Sequence, residues 1–188
     1  MTGTRTERKQ AAARAQTTAT EGAAPDPLCG DFEIRIGRDG TWFYHGSPIG
    51  RKPLVRLFAS VLRREADGGY WLVTPVERGR IVVDDAPFTA VELTIEGDGR
   101  NRALRFRTNI DDVATADADH RIRVARDPDS GEPRPYIHVR DGLEARILRP
   151  LYYELVALGE ERRVDGEAMY GVWSKGTFFP LGRLDEAG

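Results

Sequence analysis

The residues that could do chemistry in this 188-residue chain are few in type and oddly spaced. His45, His120 and His138 lie far apart, with no i,i+4 pair and no cysteine beside them, so the spacing of a zinc site is missing. Cys29 is the only cysteine, which excludes an intrachain disulfide. Next to Gly30 at the entrance of a strand, it reads as a small semi-buried thiol before it reads as a nucleophile. In Gly46-Ser47-Pro48-Ile49-Gly50 the serine stands one place off the Gly-x-Ser-x-Gly pattern, so no nucleophile elbow forms. Gly171 to Thr177 lacks the second glycine and Lys-Ser/Thr of a phosphate loop. Asp84 and Asp85 are adjacent on a strand and point to opposite faces, which denies them a shared acid/base site. Asp111-Asp112 lacks the spaced ligands of a calcium loop.

A different set of residues points to binding. Thr74-Pro75-Val76-Glu77, Asp84 to Phe88 and Thr108 to Asp111 put polar groups beside backbone-restricting ones at strand ends, where concave sites form. Arg51 and Arg140 each read as following a strand and preceding a helix, a place where a guanidinium and helix N–H groups suit an anion such as phosphate. Thr74, Glu77, Asp85 and Asn109 would then supply directional hydrogen bonds, and Tyr136 or Tyr153 a stacking surface. The plainer alternative is that Thr and Asn hold turns, Asp caps helices, and the two arginines pair with carboxylates.

The elements that must position these groups follow from periodicity. Residues 1–27 are rich in Thr, Ala and Arg and poor in large apolar side chains, which predicts a disordered tail. Phe32, Ile34 and Ile36 alternate with Glu33 and Arg35 as in a half-buried strand, and Gly37-Arg38-Asp39-Gly40 turns it back through Thr41 to His45. Leu54, Val55, Leu57, Phe58, Val61 and Leu62 form a helical stripe behind Pro53, and Asp67-Gly68-Gly69 is expected to end that helix. Strands are expected over Tyr70 to Thr74, Arg80 to Asp84, Phe88 to Glu96, Leu104 to Thr108 and around Ile122 and Val124. Pro135 to Arg140 is a further strand, Leu143 opens a second helical run, and Pro150 must kink that helix or start a fresh segment. Aromatic strands at Tyr170 to Ser174 and Thr177 to Leu181 close the chain. Strand, Arg-bearing turn, helix and aromatic strand occur twice, so the expected class is α+β in two related units. Each unit is a mostly antiparallel sheet with one main helix, over 28–100 and 101–188.

Composition narrows the function classes. The 28 basic and 30 acidic residues nearly cancel, which argues against a protein gripping nucleic acid through a global positive field. No apolar run approaches the length of a membrane span, and no secretory h-region follows Met1, so a cytoplasmic location is expected. Twenty-five of the basic residues are arginine, which reads first as codon bias of a GC-rich genome.

Several stretches are distinctive together: Cys29 to Phe32, Asp39 to Arg51, Tyr70 to Glu77, Val83 to Phe88, Thr108-Asn109, Pro135 to Arg140 and Tyr152 to Val156. They resemble an uncharacterised, mainly proteobacterial family known as domain of unknown function 1285, from about Cys29 to Gly182. The resemblance implies a duplicated α+β core, a C-terminal half like pleckstrin-homology folds, and a nucleotide-like ligand between the halves with a signalling or stress-response role. It implies no activity.

The leading expectation is therefore a soluble, non-catalytic protein binding a small anionic, nucleotide-like ligand, with no other cofactor. Arg51 and Arg140 would contact the anion. One rival is an interaction adaptor presenting an exposed patch around Trp173, Phe178 and Phe179, with a signalling protein as partner. A second is a hydrolase or transferase in which Glu77, Asp85 and a histidine converge on one point. Neither nucleic acid nor membrane is an expected partner, since no helix carries a polybasic face beside a free apolar stripe.

Overall fold

The computed structural model describes residues 28–184, and these form two six-stranded sheets, a three-stranded sheet and two short helices. The tail expected at residues 1–27 lies outside the described residues, as does the side chain of Cys29. The α+β class holds.

The alternating apolar residues of the first unit make β1 (Leu28–Ile36), which turns at Gly37–Gly40 into antiparallel β2 (Trp42–Tyr44) and then β3 (Ser47–Pro48). Helix α1 (Lys52–Ser60) follows, with Pro53 in its first turn, where a missing N–H costs nothing. A meander of β4 (Leu62–Arg64), β5 (Tyr70–Val73) and β6 (Glu77–Val83) returns to the sheet, and β6 pairs parallel with β1. The strand order is β3-β2-β1-β6-β5-β4.

The helix is shorter than its apolar stripe predicts. It stops at Ser60, whose hydroxyl donates to the Leu57 carbonyl at 2.7 Å. Leu62 belongs to β4 instead, fully buried opposite Leu72, and Asp67-Gly68 turns a hairpin rather than capping a helix. Val61 and Leu62 fit either period, and strand pairing decides between them. Leu57, expected on the buried stripe, is 60% exposed.

The second unit opens with β7 (Phe88–Glu96), hairpinned to β8 (Ala103–Thr108), then β9 (Val113–Thr115), β10 (Ile122–Arg126), β11 (Pro133–Arg140) and β12 (Leu143–Ile147). Its order is β10-β11-β12-β7-β8-β9, with β12 parallel to β7. The helix expected from Leu143 is corrected here. Leu143, Ala145 and Ile147 are buried while Glu144 and Arg146 alternate with them, so the segment is a strand. Pro150 starts a fresh element, α2 (Arg149–Ala157), because it can take a first-turn position but cannot donate within a helix. Arg140 consequently precedes a tight turn, with Asp141 and Gly142 both at positive φ, and then a strand rather than a helix.

Behind α2, β13 (Glu160–Val164), β14 (Glu167–Ser174) and β15 (Thr177–Arg183) form the third, antiparallel sheet. Close approach fixes their registry: a Cβ on Gly171 would lie 2.5 Å from the Phe179 carbonyl oxygen. One buried cluster runs from Ile36, Trp42 and Leu62 of the first unit to Phe88, Ile137 and Leu155 of the second. The described residues hold no helix long and apolar enough to cross a membrane, and no group of three or more His, Cys, Asp or Glu placed to hold a metal ion.

Candidate functional site

The turn between β1 and β2 presents the first wall of a cleft. Asp39 accepts hydrogen bonds from the Thr41 backbone N–H at 3.0 Å and its hydroxyl at 2.8 Å, which hold the Asp39 carboxyl below its ordinary pKa. Gly40 sits at φ +81°, and a Cβ there would meet the Asn109 amide nitrogen at 2.8 Å. That side chain bridges the units: its Nδ2 donates to the Gly40 carbonyl at 3.1 Å and its Oδ1 accepts from the Thr89 N–H at 3.1 Å. Asp39 is thus committed to Thr41, and the turn is braced from behind. Arg38, exposed at its tip, meets no carboxylate among the described residues.

The facing wall comes from the connector between the sheets and from the second unit. Asp85 accepts from the Tyr136 hydroxyl and from Arg146 at 2.9 Å, with its side chain 11% exposed. Burial, and then the hydrogen bond to Asp85, push the Tyr136 phenol above its usual pKa. Arg123 lies 4.2 Å from the centre of the Tyr136 ring while its Nε and Nη2 grip both carboxylate oxygens of Glu144. Nearer the mouth, Arg134 pairs with Asp127, and Arg149 with Glu132 at 2.7 Å.

Between these walls lies a cleft of about 510 Å³, closed on one side by Tyr152 and Tyr153 of α2. Four arginines and three carboxylates line it. Three of the arginines are each held by one of those carboxylates, and Arg38 is the fourth. The arrangement can attract one further negative group and offers Tyr153, 61% exposed, as a ring surface beside it.

The residues expected from sequence fall into three groups. Asp85 and Tyr153 line the cleft, Tyr136 supports Asp85 from behind, and Asn109 braces the turn that carries Arg38. Thr74 and Glu77 stand apart, closing the β5–β6 turn on each other: the Thr74 hydroxyl donates to the Glu77 carbonyl and accepts from its N–H. Arg51 is exposed at the cap of α1, away from the cleft. Arg140 lines a smaller cavity of about 340 Å³, where it donates to the Ala59 carbonyl at 2.9 Å and to Asp112 at 3.3 Å. It ties the end of α1 to the second unit.

Arg38 is the residue that sequence reasoning missed. The signal was local: in Asp39-Gly40-Thr41 the aspartate side chain is pre-empted by an Asx-type turn, which leaves the preceding arginine unclaimed. Neither Glu77 nor any histidine lines the cleft. His138 instead joins the Asp119 carbonyl to the Gly142 N–H. The patch proposed around Trp173, Phe178 and Phe179 is not on the surface either: Trp173 and Phe179 are buried and Phe178 is half-buried.

Comparison with known proteins agrees with this architecture. A model described as the N-terminal domain of DUF1285, a domain of unknown function, matches residues 24–86, and the corresponding C-terminal model matches residues 87–181. The first of these spans holds Arg38 and Asp85, and the second the rest of the cleft. A crystal structure of a DUF1285 family protein from Silicibacter pomeroyi DSS-3 is similar at 49% identity and a TM-score of 0.79, covering 89% of this chain and 91% of that one. One from Shewanella baltica OS155 is similar at 27% identity and a TM-score of 0.51, covering 65% of this chain and 89% of that one. No curated protein matches the chain.

Proposed function

From the premise that this chain belongs to the DUF1285 family, we propose that it is a non-catalytic binding protein for a small anionic, ring-bearing ligand of nucleotide-like chemistry. The ligand sits between the β1–β2 turn and the second unit. The observation that carries this reading is Arg38: a guanidinium without a carboxylate, on a turn braced by Asn109, facing a cleft whose other three arginines are neutralised. An unpaired cation in a concave, partly apolar site favours an anion, and Tyr153 gives a ring something to stack on. The preference for binding over turnover rests on Asp85, whose carboxylate is engaged by Tyr136 and Arg146, and on the lack of a histidine in the cleft lining.

The test is thermal unfolding against a panel of nucleoside mono- and diphosphates. A ligand at a hundred times its Kd stabilises the fold by about 2.7 kcal/mol, which raises the midpoint by roughly 2–4 °C for a protein of this size. Arg38→Ala is expected to weaken that ligand about ten- to a hundredfold without moving the midpoint of the free protein. A shift that survives Arg38→Ala refutes this placement of the site.

A further inference from the structure

The three ion pairs that line the cleft are not equally hard to open. Asp85 and Asp127 have side chains only 11% and 16% exposed, and each is built into its surroundings. Asp85 is held by the Tyr136 hydroxyl as well as by Arg146. Asp127 accepts from the backbone N–H groups of Asp129 at 2.9 Å and Ser130 at 3.0 Å, so its carboxylate shapes the tip of the β10–β11 hairpin besides pairing with Arg134. Opening either pair strands a charge that is largely out of water. Glu132 and Arg149 differ. Their side chains are 59% and 64% exposed, and they meet through a single contact, Arg149 Nη2 to Glu132 Oε2 at 2.7 Å. Among the described residues neither side chain has another ion-pair or hydrogen-bond partner.

An exposed pair of this kind is worth a factor of about five or less in an equilibrium constant. Opening it leaves the hairpin intact, because the backbone there is tied separately: the Glu132 carbonyl accepts from the Asp127 N–H at 2.8 Å. Rotation of the Glu132 side chain is therefore enough to release Arg149. The four arginines of the lining then face Asp85 and Asp127 alone. We infer that Arg149 is the second anion contact of the cleft, and that Glu132 is a tethered carboxylate displaced from it by a ligand with two linked anionic groups, as in a nucleoside diphosphate. This rests on the reading of Arg38 as the first contact. A phosphate group offers Arg149 the two-point recognition that its single contact with Glu132 leaves unused. A ligand with one anionic group binds at Arg38 and leaves the pair closed, whereas one with two gains a second guanidinium. Glu132 thus sets the threshold between them.

The experiment titrates inorganic pyrophosphate and, separately, inorganic phosphate into the whole protein by calorimetry at low salt. Arg149→Ala is expected to weaken pyrophosphate about tenfold, the worth of one charge-assisted hydrogen bond, and to leave phosphate nearly unchanged. Glu132→Gln is expected to tighten pyrophosphate about two- to fivefold, a gain that disappears when Arg149→Ala is added. Asp129→Asn removes an equal charge from the same hairpin tip, outside the cleft lining, and is expected to leave both affinities close to those of the unsubstituted protein. Equal gains from Asp129→Asn and Glu132→Gln overturn the inference, since the effect is then only a general field. Pyrophosphate affinity that survives Arg149→Ala overturns it too, as does a Glu132→Gln gain that persists without Arg149, or no binding at millimolar pyrophosphate to either the unsubstituted protein or Glu132→Gln. If Arg38→Ala still weakens pyrophosphate in the first three cases, the cleft stands and only the exchange falls. Pyrophosphate binding that ignores Arg38→Ala refutes the cleft itself, and the exchange with it.

Discussion

Arginines are fixed in two ways in this molecule, and the two ways leave them with different capacities. Around the cleft, Arg134, Arg146 and Arg149 each face a carboxylate, so their charge is cancelled where it stands. Around Trp173, Arg162 of the third sheet and Arg100 of the turn between β7 and β8 lie instead over an indole ring. A ring immobilises the guanidinium and leaves its charge and its donors intact. Rigidity and availability therefore coexist around Trp173. In the cleft, availability is confined to the one arginine that its turn leaves unclaimed. For a chain with 25 arginines, the partner of each guanidinium says more than its number.

Removing the ring should have the largest effect. Trp173→Ala is expected to destabilise the fold by about 3–5 kcal/mol in denaturant unfolding, combining lost burial with two unsupported arginines. A loss below about 1 kcal/mol would mean that the ring organises nothing. Next is Asp85→Ala, which strands Arg146 and the Tyr136 hydroxyl at a site whose carboxylate is 11% exposed. A loss on the order of 2–4 kcal/mol is expected, with the Arg146→Leu/Asp85→Leu double variant recovering much of it. At the mouth of the cleft the same kind of pair should count for little. The side chains of Arg149 and Glu132 are 64% and 59% exposed, so a double-mutant cycle is expected to return about 0.5 kcal/mol or less, vanishing in high salt.

The smallest effect concerns alkaline pH. Burial raises the phenol pKa values of Tyr70, Tyr136 and Tyr152 above the ordinary 10.0, and for Tyr136 the bond to Asp85 adds to it. A group with a raised native pKa contributes stability that is complete below its unfolded value and is lost as pH climbs through the native one. Stability should therefore fall only above about pH 10, and less steeply in Tyr136→Phe. Ultraviolet titration of phenolate against unfolding free energy checks both.

Much of this was legible in the sequence wherever one period was unopposed. Phe32, Ile34 and Ile36 alternate over a clean stretch, as do Val91, Leu93 and Ile95, and each became the strand its pattern announces. Errors arose where apolar residues satisfied two periods at once. Val61-Leu62 continues a helix stripe as readily as it starts a strand, and Leu143 to Leu155 reads as one helix only if the alternation of Glu144 and Arg146 is ignored. Pro150 held the answer, since a proline that cannot sit inside a helix can begin one. β9, of three residues, and the highly charged β13 carry too little apolar pattern to be seen at all. At the site, Asp85 and Asn109 stand out as polar residues at strand ends and Tyr136 and Tyr153 as ring surfaces; Asp85 and Tyr153 line the cleft, Tyr136 holds Asp85 and Asn109 braces the turn. Arg51 and Arg140 were chosen for preceding helices. Arg140 precedes a strand, and for Arg38 the local pattern states only that Asp39 is taken by its own turn, while the absence of a distant carboxylate is a three-dimensional fact.

The parallel pairs β1–β6 and β7–β12 have a consequence for how the molecule is made. A chain leaving the ribosome can form its hairpins as they appear, but neither six-stranded sheet can close its centre until its distant strand has been synthesised. β1 must wait for Glu77–Val83, and β7 for Leu143–Ile147. Until then the apolar side chains of β1 and β7 and their open backbone edges stay available to chaperones or to misassembly. Such long-range closure places refolding at the slow end for a chain of this size. Translation arrested before Val83 should leave a nascent chain sensitive to protease, and release of that residue from the exit tunnel should mark the onset of resistance.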